Sequence, residues 1–137
     1  MTPEQIELVQ STFEKILPIS EEVSILFYQK LFDLDPKLKS LFKGDMSEQG
    51  KKLIAALSTT IGGLNRFEKI VSTVENLGAR HANYGVKAKD YDTFRTALMW
   101  TLQQGLDTLF TGKVEEAWLA AYNLIASTMK SAASQAA

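Results

Sequence analysis

An all-α fold is predicted by three features of this 137-residue sequence. No stretch alternates apolar and polar side chains with period two, as a half-buried strand would. Apolar residues instead recur three and four positions apart, the spacing of one helix face. Prolines, glycines and capping residues punctuate those runs where helices start and stop.

Thr2-Pro3-Glu4-Gln5 places a capping threonine, a proline at the first helical position and a glutamine at the capping-box position. Ile6, Val9, Phe13 and Leu17 continue that helix, and Pro18 ends it. Ser20 is expected to cap a second helix, with Val23, Phe27, Tyr28, Leu31 and Phe32 on its apolar side. Asp35-Pro36 repeats the cap-plus-proline signal and opens a short helical turn ending near Phe42. Gly44 marks a loop. Ser47 is expected to cap a third long helix, striped by Leu53, Ala56, Leu57, Thr60, Ile61 and Leu64 and weakened at Gly62-Gly63. The next carries Ile70, Val74, Leu77 and His81 and closes near Gly85. Asp90 to Leu109 forms a long amphipathic segment, broken at Thr111-Gly112, and the last helix runs from about Lys113 to Lys130. The count is about seven helices of unequal length, which favours an orthogonal helical arrangement over a regular four-helix bundle. Residues 1–130 are expected to form one domain, and the small-residue tail, 131–137, to fray.

Composition removes much of function space. Zero cysteine excludes disulfides, iron–sulfur clusters, thiolate zinc sites and cysteine nucleophiles. One histidine excludes any two-histidine metal site within one chain. Fifteen basic against sixteen acidic side chains give no global pull toward nucleic acid or an anionic membrane, and neither is expected as a partner. The start, MTPEQIELVQ, does not read as a signal peptide. No apolar run approaches the ~20 residues of a membrane span. A cytoplasmic location is expected.

The single histidine is the candidate for chemistry. Taken alone, a helical histidine is more often structural. Val74, Leu77 and His81, however, are spaced +3 and +4, which directs the imidazole with the apolar face. An inward imidazole needs a partner on each nitrogen, and a metal on one with a backbone carbonyl on the other meets that need. One imidazole cannot hold a bare metal ion tightly. It can complete a site whose other four donors come from a macrocycle, so among metal readings His81 points to haem.

Six segments then fall in order and at matching intervals: Leu26-Phe27-Tyr28-Gln29-Lys30-Leu31-Phe32, Asp35-Pro36 with Leu41-Phe42, Glu48-Gln49-Gly50-Lys51-Lys52-Leu53, His81-Ala82-Asn83-Tyr84-Gly85-Val86, Tyr91, and Ala117-Trp118-Leu119-Ala120-Ala121-Tyr122. Together they resemble the single-domain bacterial haemoglobins, globins related to the haem domain of flavohaemoglobins, over essentially the whole chain. The resemblance implies a three-over-three globin fold around haem b (iron protoporphyrin IX). It implies His81 as the proximal iron ligand, with Tyr28, Gln49 and Leu53 on the distal side. Phe42, Lys52, Leu77, Arg80, Val86 and Tyr91 are then haem contacts, Lys52 and Arg80 as propionate partners. By itself Tyr28 reads as a core tyrosine with its hydroxyl at the surface, Gln49 as a solvated first-turn residue and Phe42 as packing. Lys52 and Arg80 read equally well as ordinary solvated charges.

The implied activity is reversible binding of O2 and other diatomic gases such as NO and CO, for oxygen storage, delivery or scavenging. Two neutral donors, Tyr28 and Gln49, would stabilise the charge on bound O2 and slow its release. Alternatives are an NO dioxygenase served by a separate reductase, a haem-based gas sensor, and a haem-free helical interaction module. In a chain of this length no flavin or nicotinamide domain is expected, nor an output domain after Lys130. One departure bears on the choice. Globins of the flavohaemoglobin type pair the proximal histidine with a tyrosine and a late glutamate; Tyr91 is present, but that position falls near Ala133 and no acid follows Glu116. The expected partner of the second imidazole nitrogen is therefore a backbone carbonyl such as Leu77, giving a milder iron. No second histidine exists to close the distal site. The chain is expected to be a monomer or a homodimer.

Overall fold

α1 (Pro3–Ile16) begins where Thr2 and Gln5 close a reciprocal capping box, each side chain accepting from the other's backbone N–H. The computed structural model describes residues 1–136, and within them six α-helices follow one another through short 3₁₀ turns, except between α4 and α5, with no strand among the described residues. After α1 come α2 (Ser20–Leu34), α3 (Met46–Gly62), α4 (Phe67–Asn83), α5 (Asp90–Leu106) and α6 (Gly112–Ala136). The expected seventh helix, after Asp35, is instead a 3₁₀ segment, Pro36–Leu41, capped by Asp35 through Lys37 N.

Several boundaries differ from expectation for local reasons. Ser20 does not cap α2. It is the first helical residue, and Leu17–Ile19 form a 3₁₀ turn that leads the chain directly into the helix. Leu17 is consequently 42% exposed rather than part of the apolar stripe. Ser47 does not cap α3 either: Asp45 does, accepting from Ser47 N at 2.9 Å. The longer segment to Leu109 stops being α-helical at Leu106, where Asp107 takes a positive φ of 51° and a 3₁₀ turn follows. Beyond Lys130 the small residues continue α6 to Ala136, as alanine-rich sequence favours. Ala137, the end of the tail expected to fray, lies outside the described residues.

The helices stack in two layers. α2 lies along α5, α5 along α6, and α1 beside α3; between layers α1 packs on α6, α2 on α3 and α4 on α6. The main core gathers Val9, Phe13, Ile16, Leu31, Leu102, Ala117 and Trp118. Trp118 is 1% exposed, and its indole N–H donates to Thr12 Oγ1 at 2.9 Å, tying α6 to α1. Two crossings depend on a missing side chain. A Cβ at Gly50 would lie 2.6 Å from Ser24 Oγ, where α3 crosses α2. A Cβ at Gly78 would fall on the Met129 carbonyl oxygen and 2.6 Å from its Cα, where α4 crosses α6. No described helix is long and apolar enough to cross a membrane.

Candidate haem site

α3 and α4 scarcely touch, although each packs firmly on another helix, α3 on α2 and α4 on α6. Phe42, Leu53, Leu77 and Val86 are half-buried, the first two packed against the main core and the last two against a smaller cluster around Val74 and Tyr91.

His81 sits near the C-terminal end of α4 and is half-buried. Its Nδ1 lies 2.7 Å from the Leu77 carbonyl oxygen, one helical turn earlier. A carbonyl can only accept, so Nδ1 carries the proton and donates, leaving Nε2 as the lone-pair nitrogen. Nε2 has no hydrogen-bond partner among the described residues. Burial pushes the His81 pKa below the usual imidazole value; the Leu77 bond opposes that shift and the neighbouring Arg80 adds to it. The ring is thus neutral, oriented and unpartnered on one nitrogen, the condition a metal ligand requires. The helix ends immediately afterwards. Tyr84 N and Val86 N donate back to the His81 carbonyl, and Gly85 adopts a φ of 102°, open to glycine without strain.

Tyr28 on α2 is 7% exposed, and its hydroxyl donates to the Gln49 carbonyl at 3.2 Å. Phe42 meets its ring edge-on at 5.1 Å, and Phe27 at 5.2 Å. Desolvation pushes the Tyr28 pKa up to about 12, so the phenol is a neutral donor throughout the physiological range. Gln49 is half-buried in the first turn of α3, and its amide Nε2 donates to the Lys43 carbonyl at 2.9 Å. The structure therefore joins Tyr28 and Gln49 through the backbone of Gln49, while the Gln49 amide points along the 43–45 loop. Leu53 lies one turn on, against the main core. Lys52 and Arg80 are exposed and form no ion pair among the described residues.

On the His81 side, Tyr91 is buried in a small cluster with Val74, Ala126 and Met129, against which Leu77 and Val86 pack. Its hydroxyl is a buried polar atom without a hydrogen-bond partner among the described residues. Tyr122 donates to the Tyr91 carbonyl at 2.6 Å, which holds the start of α5 against α6. A buried orphan hydroxyl costs free energy, and a polar group brought by a bound cofactor is one way to satisfy it. The residues present fit haem on two counts: an oriented imidazole whose Nε2 has no hydrogen-bond partner among the described residues, and the unsatisfied Tyr91 hydroxyl in the cluster against which Leu77 packs. A separate cavity of about 380 Å³ opens between α1 and the end of α3, lined by Gln10, Phe13, Leu17 and Ile61, and involves none of these residues.

The sequence reading did not single out Gly50 and Gly78 for the helix crossings they permit. Gly78 carried a usable signal, since it stands four residues after buried Val74 on the same stripe. The Lys43 carbonyl, which takes the Gln49 amide, carried none.

The six described helices in two layers, the fourth bearing the single histidine, form a globin arrangement, and comparison with known proteins agrees. The Globin family model matches residues 25–129. The chain belongs to the globin family. It is 27% identical over 129 residues to a flavohemoprotein of Vibrio cholerae, covering 92% of this chain but 33% of that protein. An uncharacterized globin-like protein of Aquifex aeolicus is 27% identical over 129 residues, covering 94% of this chain and 91% of the relative. The chain thus spans about a third of the length of the flavohemoprotein and nearly all of the smaller globin. The fold superimposes on a bacterial globin from Campylobacter jejuni with a TM-score of 0.85 at 24% identity, covering 98% of this chain and 97% of the other.

Tyr28 gives a pH prediction. Its pKa is raised in the fold from 10.0 to about 12, so its neutral form contributes stability that is complete below pH 10. The unfolded chain ionises first, so that contribution is lost as pH rises from about 10 to about 12. The full effect is at most about 2–3 kcal/mol. Chemical denaturation across that window is expected to show a steep loss of stability in the wild type and a shallower one in Tyr28→Phe.

Proposed function

We propose that this globin holds haem b through His81 Nε2 and binds O2 and other diatomic gases reversibly, in an oxygen storage, delivery or scavenging role in the cytoplasm. The observation that carries the reading is the His81 arrangement: Nδ1 committed to the Leu77 carbonyl and Nε2 without a partner among the described residues, on α4, which makes few contacts with α3. Haem held by His81 would supply an iron able to take up a gas. The chain supplies the rest. Leu77 fixes the tautomer and orientation of the ligand. Phe42, Leu53 and Val86, apolar and half-buried, would shield a bound haem from water. Tyr28 and Gln49 are the donors within reach of the distal side.

Both donors begin in bonds to backbone carbonyls; the Tyr28 hydroxyl must rotate or share its one proton to reach a gas, whereas the Gln49 amide keeps a second N–H but would have to swing away from the loop. A neutral hydrogen bond is worth about 1 kcal/mol net, so exchange of one acceptor for another is accessible. Tyr28 is buried and already close to the α3 backbone, whereas the Gln49 amide faces the loop. Tyr28 is therefore assigned the larger share of ligand stabilisation. Stopped-flow and flash-photolysis kinetics test this. Tyr28→Phe is expected to raise the O2 dissociation rate about 5–10-fold, the equivalent of one lost hydrogen bond, and Gln49→Leu to raise it less. Unchanged rates in both variants would make the two residues structural.

The dioxygenase alternative is weaker on the proximal side. A neutral carbonyl acceptor on His81 donates less electron density to an iron than a carboxylate does. One turnover with NO is expected of any such oxygen carrier. Sustained turnover with a separate reductase would instead establish the enzyme.

A further inference from the structure

We infer that the cavity between α1 and the end of α3 is a binding site for a small zwitterion with an apolar body, the chemistry of a free α-amino acid. The cavity involves neither His81 nor the distal residues, so the inference does not rest on the haem reading.

Two helix faces wall the cavity. From α1 come Gln10, Phe13, Glu14 and Leu17, spaced +3, +4 and +7 from the first, the spacing of one face. From the end of α3 come Ser58, Ile61 and Gly62, spaced +3 and +4 in the same way. Asn65 and Arg66, on the 3₁₀ turn Leu64–Arg66 that follows, complete the lining. The Gln10 amide spans the two walls, donating to the Ile61 carbonyl at 3.0 Å and to Asn65 Oδ1 at 3.4 Å. Gly62 leaves room, since a Cβ there would meet nothing within 4 Å. The volume of about 380 Å³ falls in the range of small-molecule sites.

The lining has an apolar part and a polar part of both signs. Phe13 and Ile61 are buried, whereas Leu17 is exposed, an apolar side chain that a ligand's own apolar body would cover. Glu14 and Arg66 are exposed, and neither has an ion-pair partner among the described residues. Gln10 Oε1 accepts no hydrogen bond and Asn65 Nδ2 donates none among the described residues, because the contact between the two side chains uses Gln10 Nε2 and Asn65 Oδ1. One cavity therefore offers Arg66 and Asn65 as donors to a carboxylate, and Glu14 and Gln10 as acceptors for an ammonium group. A simple anion would also meet Glu14, and a simple cation would also meet Arg66. A zwitterion meets an opposite charge at each end. Exposed charges attract weakly one at a time, so the selectivity comes from the pair and the affinity is modest.

The test titrates the full chain with L-leucine at low ionic strength and follows amide chemical shifts. Saturable shifts are expected at residues 10–17 and 58–66, with a dissociation constant of about 1 mM or tighter. N-acetyl-L-leucine keeps only the carboxylate and L-leucinamide only the ammonium group; each should bind about 5–10-fold more weakly than leucine. Arg66→Gln should weaken leucine by a similar factor and leave leucinamide no weaker. Glu14→Gln should weaken leucine and spare N-acetyl-leucine. Gly62→Leu, which puts a side chain into the open space, should abolish the shifts while the circular dichroism stays that of the wild type. Lys15→Gln, on α1 but not among the lining residues, should bind as the wild type does. Absence of saturable shifts, shifts confined to another part of the surface, or equal binding of the three compounds overturns the proposal. So does an effect of Arg66→Gln or Glu14→Gln no larger than that of Lys15→Gln.

Discussion

His81→Gly is expected to abolish haem retention, and free imidazole to restore it. The expectation follows from how little else in the chain can serve as ligand. There is no cysteine and no second histidine, and among the described residues no cluster of three metal-ligating side chains exists. Glycine removes the imidazole and leaves a space in which exogenous imidazole can sit, with its own N–H on the Leu77 carbonyl that now lacks a donor. The wild type should keep its Soret absorption through gel filtration, the variant should lose it, and imidazole during reconstitution should bring it back. The helix itself should persist, because the side chain bonds only within α4. Circular dichroism of the haem-free variant is therefore expected to match that of the haem-free wild type. Tight haem retention by His81→Gly without imidazole would remove the central assignment.

What the sequence disclosed divides by the range of the interactions involved. Local, backbone-driven features were legible: the Thr2–Gln5 capping box, the Asp35 cap, and the glycine at 85 that ends α4. The His81–Leu77 bond was legible too, because position i−4 on a helix is fixed by helical geometry and no acid was available to compete. Asp45 against Ser47 was not, since two good capping residues stand two apart and only the path of the 43–45 loop selects between them. Nor was the direction of the Gln49 amide. In a first helical turn such a side chain can reach inward or toward the preceding loop, and the Lys43 carbonyl decides it. Contacts between elements distant in sequence were the least legible. Trp118 with Thr12, Gly50 with Ser24 and Gly78 with Met129 each depend on a helix crossing that no periodicity encodes.

The Gly78 crossing carries the other large effect. Gly78→Ala is expected to destabilise the fold by about 2 kcal/mol or more and to speed haem loss, although alanine is the better helix former by about 1 kcal/mol. The methyl group would meet backbone atoms of Met129, its carbonyl oxygen and Cα, and no rotamer change can move a backbone. α4 must then draw away from α6, its main packing partner. Gly78 lies between Leu77 and His81 in sequence, so the displacement carries with it both the carbonyl that orients the imidazole and the imidazole itself. Gly62→Ala supplies the comparison. A Cβ there has nothing within 4 Å, and the residue is the last of α3, so propensity alone should act and leave the protein as stable or slightly more so. Denaturant titrations of the haem-free proteins give the stability difference, and haem transfer to an acceptor protein gives the rate of loss. If the two alanine variants behave alike, helix propensity governs both and the close approach of α4 to α6 is not what sets the position of His81. If Gly78→Ala alone is destabilised and sheds haem faster, one missing methyl group on α4 is what allows the imidazole to stand where it does.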